Sequence, residues 1–256
     1  MQKDKKTNKK EKITFKEWLK DNAKSLFWAI LIALTVRSCT LEPFNIPSGS
    51  MVPTMLIGDY LFVNKFSYGY SRYSFPFGIP LVPGRIFYEQ PKRGDIVVFR
   101  LPTNTSIDYI KRVIGLPGDR IQVVNGILHI NGKPVKRTFK EVVMEYRGNQ
   151  QVEHRLYDEE LPEGLVHPIL EFSDDEPQDN TIEFVVPEDH FFMMGDNRDN
   201  SQDSRWLDIV GYVPKSHLVG KAQFIFYSNN GYAPFLAFWN WPKSIRWERL
   251  FNGIGP

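Results

Sequence analysis

Two hydrophobic rhythms divide the chain. Residues 25–36, Ser25 through Val36, form a single uncharged, mostly apolar run. From about residue 57 onward the apolar residues come instead in short bursts rich in Val, Ile, Phe and Tyr. These are Tyr60–Phe66, Asp95–Leu101, Tyr109–Ile114, Ile121–Val124, Leu128–Ile130, Glu183–Val186, Phe191–Met194 and Leu218–Tyr227. Runs of that length separated by turn residues predict strands, and Asn125-Gly126 and Asn131-Gly132 are hairpin signals at close spacing. No long amphipathic helix is visible after the first run. The pattern predicts a mainly β protein, with mixed sheets or a partly open antiparallel barrel behind an N-terminal helix.

The first run is read as a membrane anchor. As a helix, residues 25–36 span only about 18 Å, short of a hydrocarbon core of roughly 30 Å. Extended from about Asp21 to Phe44 the segment becomes long enough if Lys24 and Arg37 reach towards the interfaces, and the anchor is assigned to 25–44. No small-x-small cleavage site follows Val36, and Arg37 sits two residues before Cys39, so neither a cleaved leader nor a lipoprotein site fits. Lysines precede the run, which places the N-terminus in the cytoplasm and everything after Phe44 on the outer side of the membrane, in a single pass. Ser50 follows Val36 by only 14 residues, so it stays near the membrane surface.

Composition changes this picture little. The 256 residues are globular in apolar and charged content, and the net charge of +2 hides an uneven distribution. Residues 1–24 carry nine lysines against four carboxylates, a net +5, which leaves −3 for the remainder. An apolar run follows the basic tail directly, so the tail points to membrane lipids and not to nucleic acid. Cys39 is the only cysteine, so no internal disulfide forms. Residues 69–92 read as a long loop, and 136–182 as an acidic insertion of low periodicity. After Tyr227 come Phe235, Phe238, Trp239, Trp241, Trp247 and Phe251 among Lys243, Arg246 and Arg249. Those rings either lie at a lipid interface or pack the sheet edge.

The candidate chemistry begins at Ile46-Pro47-Ser48-Gly49-Ser50-Met51-Val52-Pro53-Thr54. Two prolines and a glycine make this a stiff loop, able to hold a hydroxyl in place and leave backbone N–H groups free. Acyl transfer needs both a nucleophile and oxyanion donors. A Ser/Pro/Gly turn of no catalytic consequence has the same composition. The five histidines, His129, His154, His167, His190 and His217, are scattered and read as surface or structural residues. No HExxH, CxxC, P-loop, GxSxG or SxxK pattern occurs, and no metal or cofactor is expected.

The loop, continued by Leu56-Ile57-Gly58-Asp59-Tyr60 and Lys65-Phe66, resembles the nucleophile box of bacterial type I signal (leader) peptidases, a family of Ser–Lys endopeptidases. Three further boxes follow in the family's order: Arg93–Phe99, Tyr109–Asp119, and Gly195–Arg205, the last reading Gly-Asp-Asn-Arg-Asp-Asn-Ser-Gln-Asp-Ser-Arg. The resemblance implies that Ser50 is the nucleophile and Lys111 its general base. It implies that Ser48 and the Ser50 N–H serve the oxyanion, that Ser201 orients the lysine, and that Asp203 and Arg205 form a supporting ion pair. Apolar neighbours Tyr109, Ile110, Val113 and Ile114 would depress the Lys111 pKa by desolvation. The implied activity is removal of signal peptides from secretory preproteins after small residues at −1 and −3.

The implied organisation is a basic tail (1–24), an anchor (25–44), a catalytic core in two parts (45–135 and 183–256) and an inserted β-rich lobe (136–182) away from the site. The alternatives are a self-cleaving repressor-type Ser–Lys protease, for which the Ala-Gly or Cys-Gly scissile pair is missing, and an inactive anchored β-domain that binds envelope peptides.

Overall fold

The computed structural model describes residues 14–39, 41–75, 78–147, 150–231 and 238–255. The chain divides between Arg37 and Ser38 into two compact units. The first holds helix α1, Phe15–Cys39, which is 25 residues long. It starts well before the expected anchor and ends before it, because Pro43 forces extended backbone ahead of it and residues 41–45 form a strand. Lys16, Lys20, Asp21 and Lys24 occupy its first half, so no helix among the described residues is long and apolar enough to cross a membrane. Leu26, Phe27, Trp28, Ile30, Leu31 and Ile32 are nevertheless exposed along it. The basic residues before Thr14 lie outside the described residues.

The second unit is built on strands, as expected. In chain order they begin with β1 (Leu41–Asn45), β2 (Asp59–Asn64), β3 (Tyr70–Ser71), β4 (Arg85–Ile86), β5 (Ile96–Leu101) and β6 (Asn104–Gly115). Then come β7 (Arg120–Val124), β8 (Ile127–Ile130), β9 (Lys133–Pro134), β10 (Lys136–Arg147), β11 (Gln150–Glu160) and β12 (Val166–Glu171). The last are β13 (Phe184–Val185), β14 (His190–Met194), β15 (Val213–Pro214) and β16 (Leu218–Ser228). A seven-stranded sheet runs β1-β2-β16-β5-β6-β14-β15, and smaller sheets run β10-β11-β12, β13-β7-β8-β9 and β3-β4. Every strand pair among the described residues is antiparallel, and the large sheet ends on two edges, so no barrel is closed.

The side-chain alternation explains why the strand segments read as continuous apolar runs. In β5, Ile96 and Val98 enter one core with Met51, Met55, Leu61 and Val219, whereas Val97, Phe99 and Leu101 enter another with Val113, Phe191 and Met193. Strand β14 likewise sends Phe191 and Met193 one way and Phe192 and Met194 the other. A strand covered on both faces has no polar alternation to show. The two Asn-Gly pairs do turn as expected. Asn125 and Gly126 (φ 49° and 71°), and Asn131 and Gly132 (φ 54° and 75°), close the β7–β8 and β8–β9 hairpins. The run expected to reach Phe66 stops at Asn64, and Phe66–Tyr68 form a 3-10 turn.

The acidic stretch after residue 135 is more regular than its composition suggests. Strands β10 and β11 pair over nearly their whole length, with one irregularity between Phe139 and Glu141, and β12 completes the sheet. Its base is also close to the box at 195–205: Leu170 donates its N–H to the Asp196 carbonyl at 2.8 Å. At the C-terminal end, Phe235 lies outside the described residues. The rings of Trp239, Trp247 and Phe251 are exposed. Arg249 anchors this segment, its guanidinium donating to the buried Asp59 carboxylate.

Candidate active site

Ser50 begins from the loop the prolines predicted. The loop is fixed at both ends: Ile46 N–H donates to the Asp59 carbonyl (2.8 Å) and Met55 N–H to the Met51 carbonyl (2.9 Å). Met51 and Met55 are fully buried in the core beneath it, so Ser50, directly before Met51, sits on an anchored stretch of backbone. Gly195 abuts the same turn. A Cβ there would lie 2.5 Å from the Ser50 carbonyl and 2.3 Å from Ser201 Oγ, so this contact admits glycine alone.

Lys111 arrives from β6, in register with Val97 of β5. Its Nζ lies 2.6 Å from Ser50 Oγ, both groups are buried, and the amine sits 5.3 Å from the centre of the Tyr109 ring. Burial strips water from the ammonium and lowers its pKa from 10.5 to about 8. The carboxylates of Asp203 and Asp196 pull the other way, and Arg205 adds to the depression. Neutral lysine is therefore common at mildly alkaline pH, as a base requires.

Ser48 Oγ lies 3.5 Å from Ser50 Oγ. Ser201 Oγ is buried and makes no hydrogen bond, so the bond expected from it to the lysine amine is not formed in this structure. Ser48, Ser50, Lys111 and Ser201 nonetheless line one cleft of about 650 Å³, with Phe44 and Ile46 along its wall. Asp203 and Arg205 form the expected pair, Nε to Oδ1 and Nη2 to Oδ2 both at 2.9 Å. The Asp203 carboxylate also accepts the Gly195 N–H at 3.0 Å. Burial would raise the Asp203 pKa, but Arg205 holds it below the usual range.

A second buried pair was not expected. Arg112, next to Lys111, donates Nε to Asp196 Oδ1 (2.8 Å) and Nη2 to Oδ2 (2.7 Å), and Nη1 to the Gly94 carbonyl (2.8 Å). Against the cost of burial, this guanidinium keeps Asp196 far below the usual carboxylate range. Thr54 Oγ1 donates to the same carboxylate at 2.5 Å. Asn197 donates its backbone N–H to the Ser50 carbonyl (3.1 Å) and its side-chain amide to the Gly49 carbonyl (3.0 Å). The box at 195–205 thus grips both the serine loop and the lysine strand. The signal was present in the sequence: opposite charges, Arg112 and Asp196, each stand inside a box beside a residue of interest.

The histidines stay out of the serine–lysine pair, as read. His154 and His167 are buried, the first against the Phe172 ring. Among the described residues no cluster of three or more His, Cys, Asp or Glu could hold a metal ion.

The chain is similar to known proteins over most of its length. The family model described as "Signal peptidase, peptidase S26" matches residues 16–227. The signal peptidase I of Rickettsia typhi is 40% identical over 258 residues, spanning 92% of this chain and 94% of that protein. That of Rickettsia canadensis is 41% identical over 276 residues, spanning 99% of this chain and 98% of that protein. A crystal structure of a signal peptidase I from Enterococcus faecalis V583 is 27% identical and covers 52% of this chain and 97% of its own, with a TM-score of 0.31.

Proposed function

The chain belongs to the signal peptidase family, peptidase S26, and on that premise we propose that Ser50 and Lys111 perform its cleavage chemistry. The protein is a serine endopeptidase that removes signal peptides from precursors. The observation that carries the assignment of residues is the 2.6 Å contact between a buried amine of lowered pKa and a loop hydroxyl.

In the proposed reaction neutral Lys111 takes the proton of Ser50 Oγ as the oxygen attacks the scissile carbonyl. The negative charge that develops on the carbonyl oxygen is met by the Ser50 N–H and the Ser48 hydroxyl. Protonated Lys111 then returns its proton to the departing amine, leaving an acyl-enzyme. Neutral again, it deprotonates the water that releases the signal peptide. Ser201, buried in the same cleft beside Asp203, is proposed to hold the amine once substrate excludes water. Asp203 and Arg205 keep Gly195, and with it the turn against Ser50, in place. The apolar wall at Phe44 and Ile46 supports a preference for small residues at −1 and −3.

We also infer that the lipid side is met by α1, whose uncharged stretch 25–36 exposes Leu26, Phe27, Trp28 and Ile30, and by the rings of Trp239, Trp247 and Phe251. The proposed topology has the lysine-rich N-terminus in the cytoplasm and residues 45–135 and 183–256 together as the catalytic core outside, with 136–182 inserted between them. The deciding experiment incubates the purified chain with a precursor bearing an Ala-x-Ala site, beside Ser50→Ala. Cleavage by the first and none by the second is expected, and equal cleavage by both would refute the assignment.

A further inference from the structure

The mechanism above leaves one buried cluster unused, at the base of the β10–β12 lobe. Glu159 of β11 meets Arg198 of the 195–205 box through both carboxylate oxygens, one of them at 2.8 Å from Nη1. His167 of β12 stands between two carboxylates, at ion-pair distance from both though in hydrogen-bond geometry with neither: Nε2 is 3.2 Å from Glu159 Oε2, and Nδ1 is 3.5 Å from Asp196 Oδ1. All four side chains are at most 3% exposed. The lobe therefore does not merely lie beside the catalytic core. Two of its strands push ionised groups into the loop whose Asn197 holds Ser50 and whose Asp196 holds the neighbour of Lys111.

We propose that His167 is a positioning residue for cleavage, clamping Asp196 and Glu159 together so that the inserted lobe fixes the 195–205 loop against Ser50 and Lys111. The inference rests on the reading of Ser50 and Lys111 given above. Two carboxylates converging on one ring favour the imidazolium, which carries a proton on each nitrogen, over neutral imidazole, which can donate only once. The groups facing the ring are Glu159 from β11, Asp196 and Arg198 from the box and Arg112 from β6, with Glu171 of the same strand next to Arg198. Burial would lower the His167 pKa, yet the two carboxylates raise it above 6.5.

The charge matters at a distance. Asp196 favours the protonated form of Lys111, and an imidazolium against Asp196 counters that field. Removing the imidazolium leaves Asp196 to hold the proton on Lys111 more firmly. The lysine then needs a higher pH to become a base.

The test uses the full chain and His167→Gln, with kcat and KM for an Ala-x-Ala peptide measured from pH 6 to 10. Lys111 is titrated in parallel by NMR on carbon-13 lysine. The variant is expected to keep its thermal midpoint within a few degrees and KM within about twofold. Its kcat at pH 7 should fall roughly three- to fivefold and recover by about pH 9.5, as the Lys111 midpoint moves up by about half a unit. A merely structural histidine would lower kcat equally at all pH values, or lower only the thermal midpoint. A folded variant with an unmoved Lys111 midpoint overturns the proposal.

Should the variant not fold, the wild type decides. His167 deprotonation should appear as a second inflection in the Lys111 titration, and a single inflection refutes the coupling. If the wild type cleaves nothing, the assignment of the serine–lysine pair falls by that result alone, while the Lys111 titration still judges the clamp.

Discussion

The backbone carbonyl of Ser50 accepts a hydrogen bond from the backbone N–H of Asn197, 3.1 Å away. These residues are 147 positions apart in sequence, so the nucleophile's orientation depends on a loop at the far end of the domain. With Asn197 Nδ2 on the Gly49 carbonyl as well, the turn behind Ser50 is held by two donors from one side chain and its backbone. The catalytic geometry is therefore set by contacts that tolerate little displacement.

Lys111 makes the sharpest claim about pH. With Lys111 as the proposed base, activity requires its neutral amine, so kcat/KM should rise with pH through a midpoint near 8 and fall about tenfold per unit below it. Lys111→Arg should be inactive over long incubation, because guanidinium stays protonated in that range. A flat profile between pH 7 and 9, or product from Lys111→Arg, would exclude Lys111 as the base.

The same burial has a cost in stability. The folded pKa near 8 lies below the unfolded value near 10.5, so the unfolded chain binds more protons between these limits. Stability should thus rise with pH from about 8 to 10.5, and the cost is fully present below pH 8. Lys111→Met should be more stable than wild type at pH 7, by on the order of 1–3 kcal/mol, while losing activity. Denaturant midpoints at pH 7 and pH 10 would test this, since the advantage of Met should shrink at the higher value.

Ser50→Ala should abolish turnover with an unchanged thermal midpoint, since it removes a hydroxyl from a loop and no core volume. Ser48→Ala should retain the fold and lower kcat by roughly 10²–10³, the cost of a single oxyanion donor. Equal losses from the two variants would assign Ser48 a different role.

Gly195→Ala tests the contact between the two loops. The added methyl would meet the Ser50 carbonyl at 2.5 Å, and that atom is backbone and cannot swing aside. The expected result is a kcat lowered at least about 10²-fold, together with a thermal midpoint reduced by several degrees. Full activity in this variant would mean that the serine loop is free to move.

Asp203→Asn should destabilise the fold by about 3–5 kcal/mol, because Arg205 is left buried without its counter-ion. In whatever fraction folds, the alkaline requirement should ease. Asp203 is the strongest influence raising the Lys111 pKa against burial, so its loss moves the acid limb of the pH–rate profile to lower pH. A shift to higher pH would reverse the proposed sign.

What the sequence determined by itself was local. Strand positions followed from short Val, Ile and Phe bursts, the Asn-Gly turns from the positive φ they permit, and the stiff serine loop from Pro47 and Pro53. Each of these depends on neighbours within a few residues. The four boxes also named Ser50, Lys111, Ser48, Ser201, Asp203 and Arg205 through resemblance.

Tertiary structure decided the rest. The acidic stretch after residue 135 read as an inserted lobe away from the site, yet Glu159 and His167 are buried there against Arg198 and Asp196. A carboxylate can leave water only where a distant partner is delivered at the right distance, and nothing in its own neighbourhood encodes that partner. The start of α1 was missed for a related reason: Lys16 to Lys24 are good helix formers, but their charge had marked them as a tail. The Lys111 pKa belongs to the same class. Four apolar neighbours in sequence suggested desolvation, but the packing of β6 against the Ser50 loop is what removes the water.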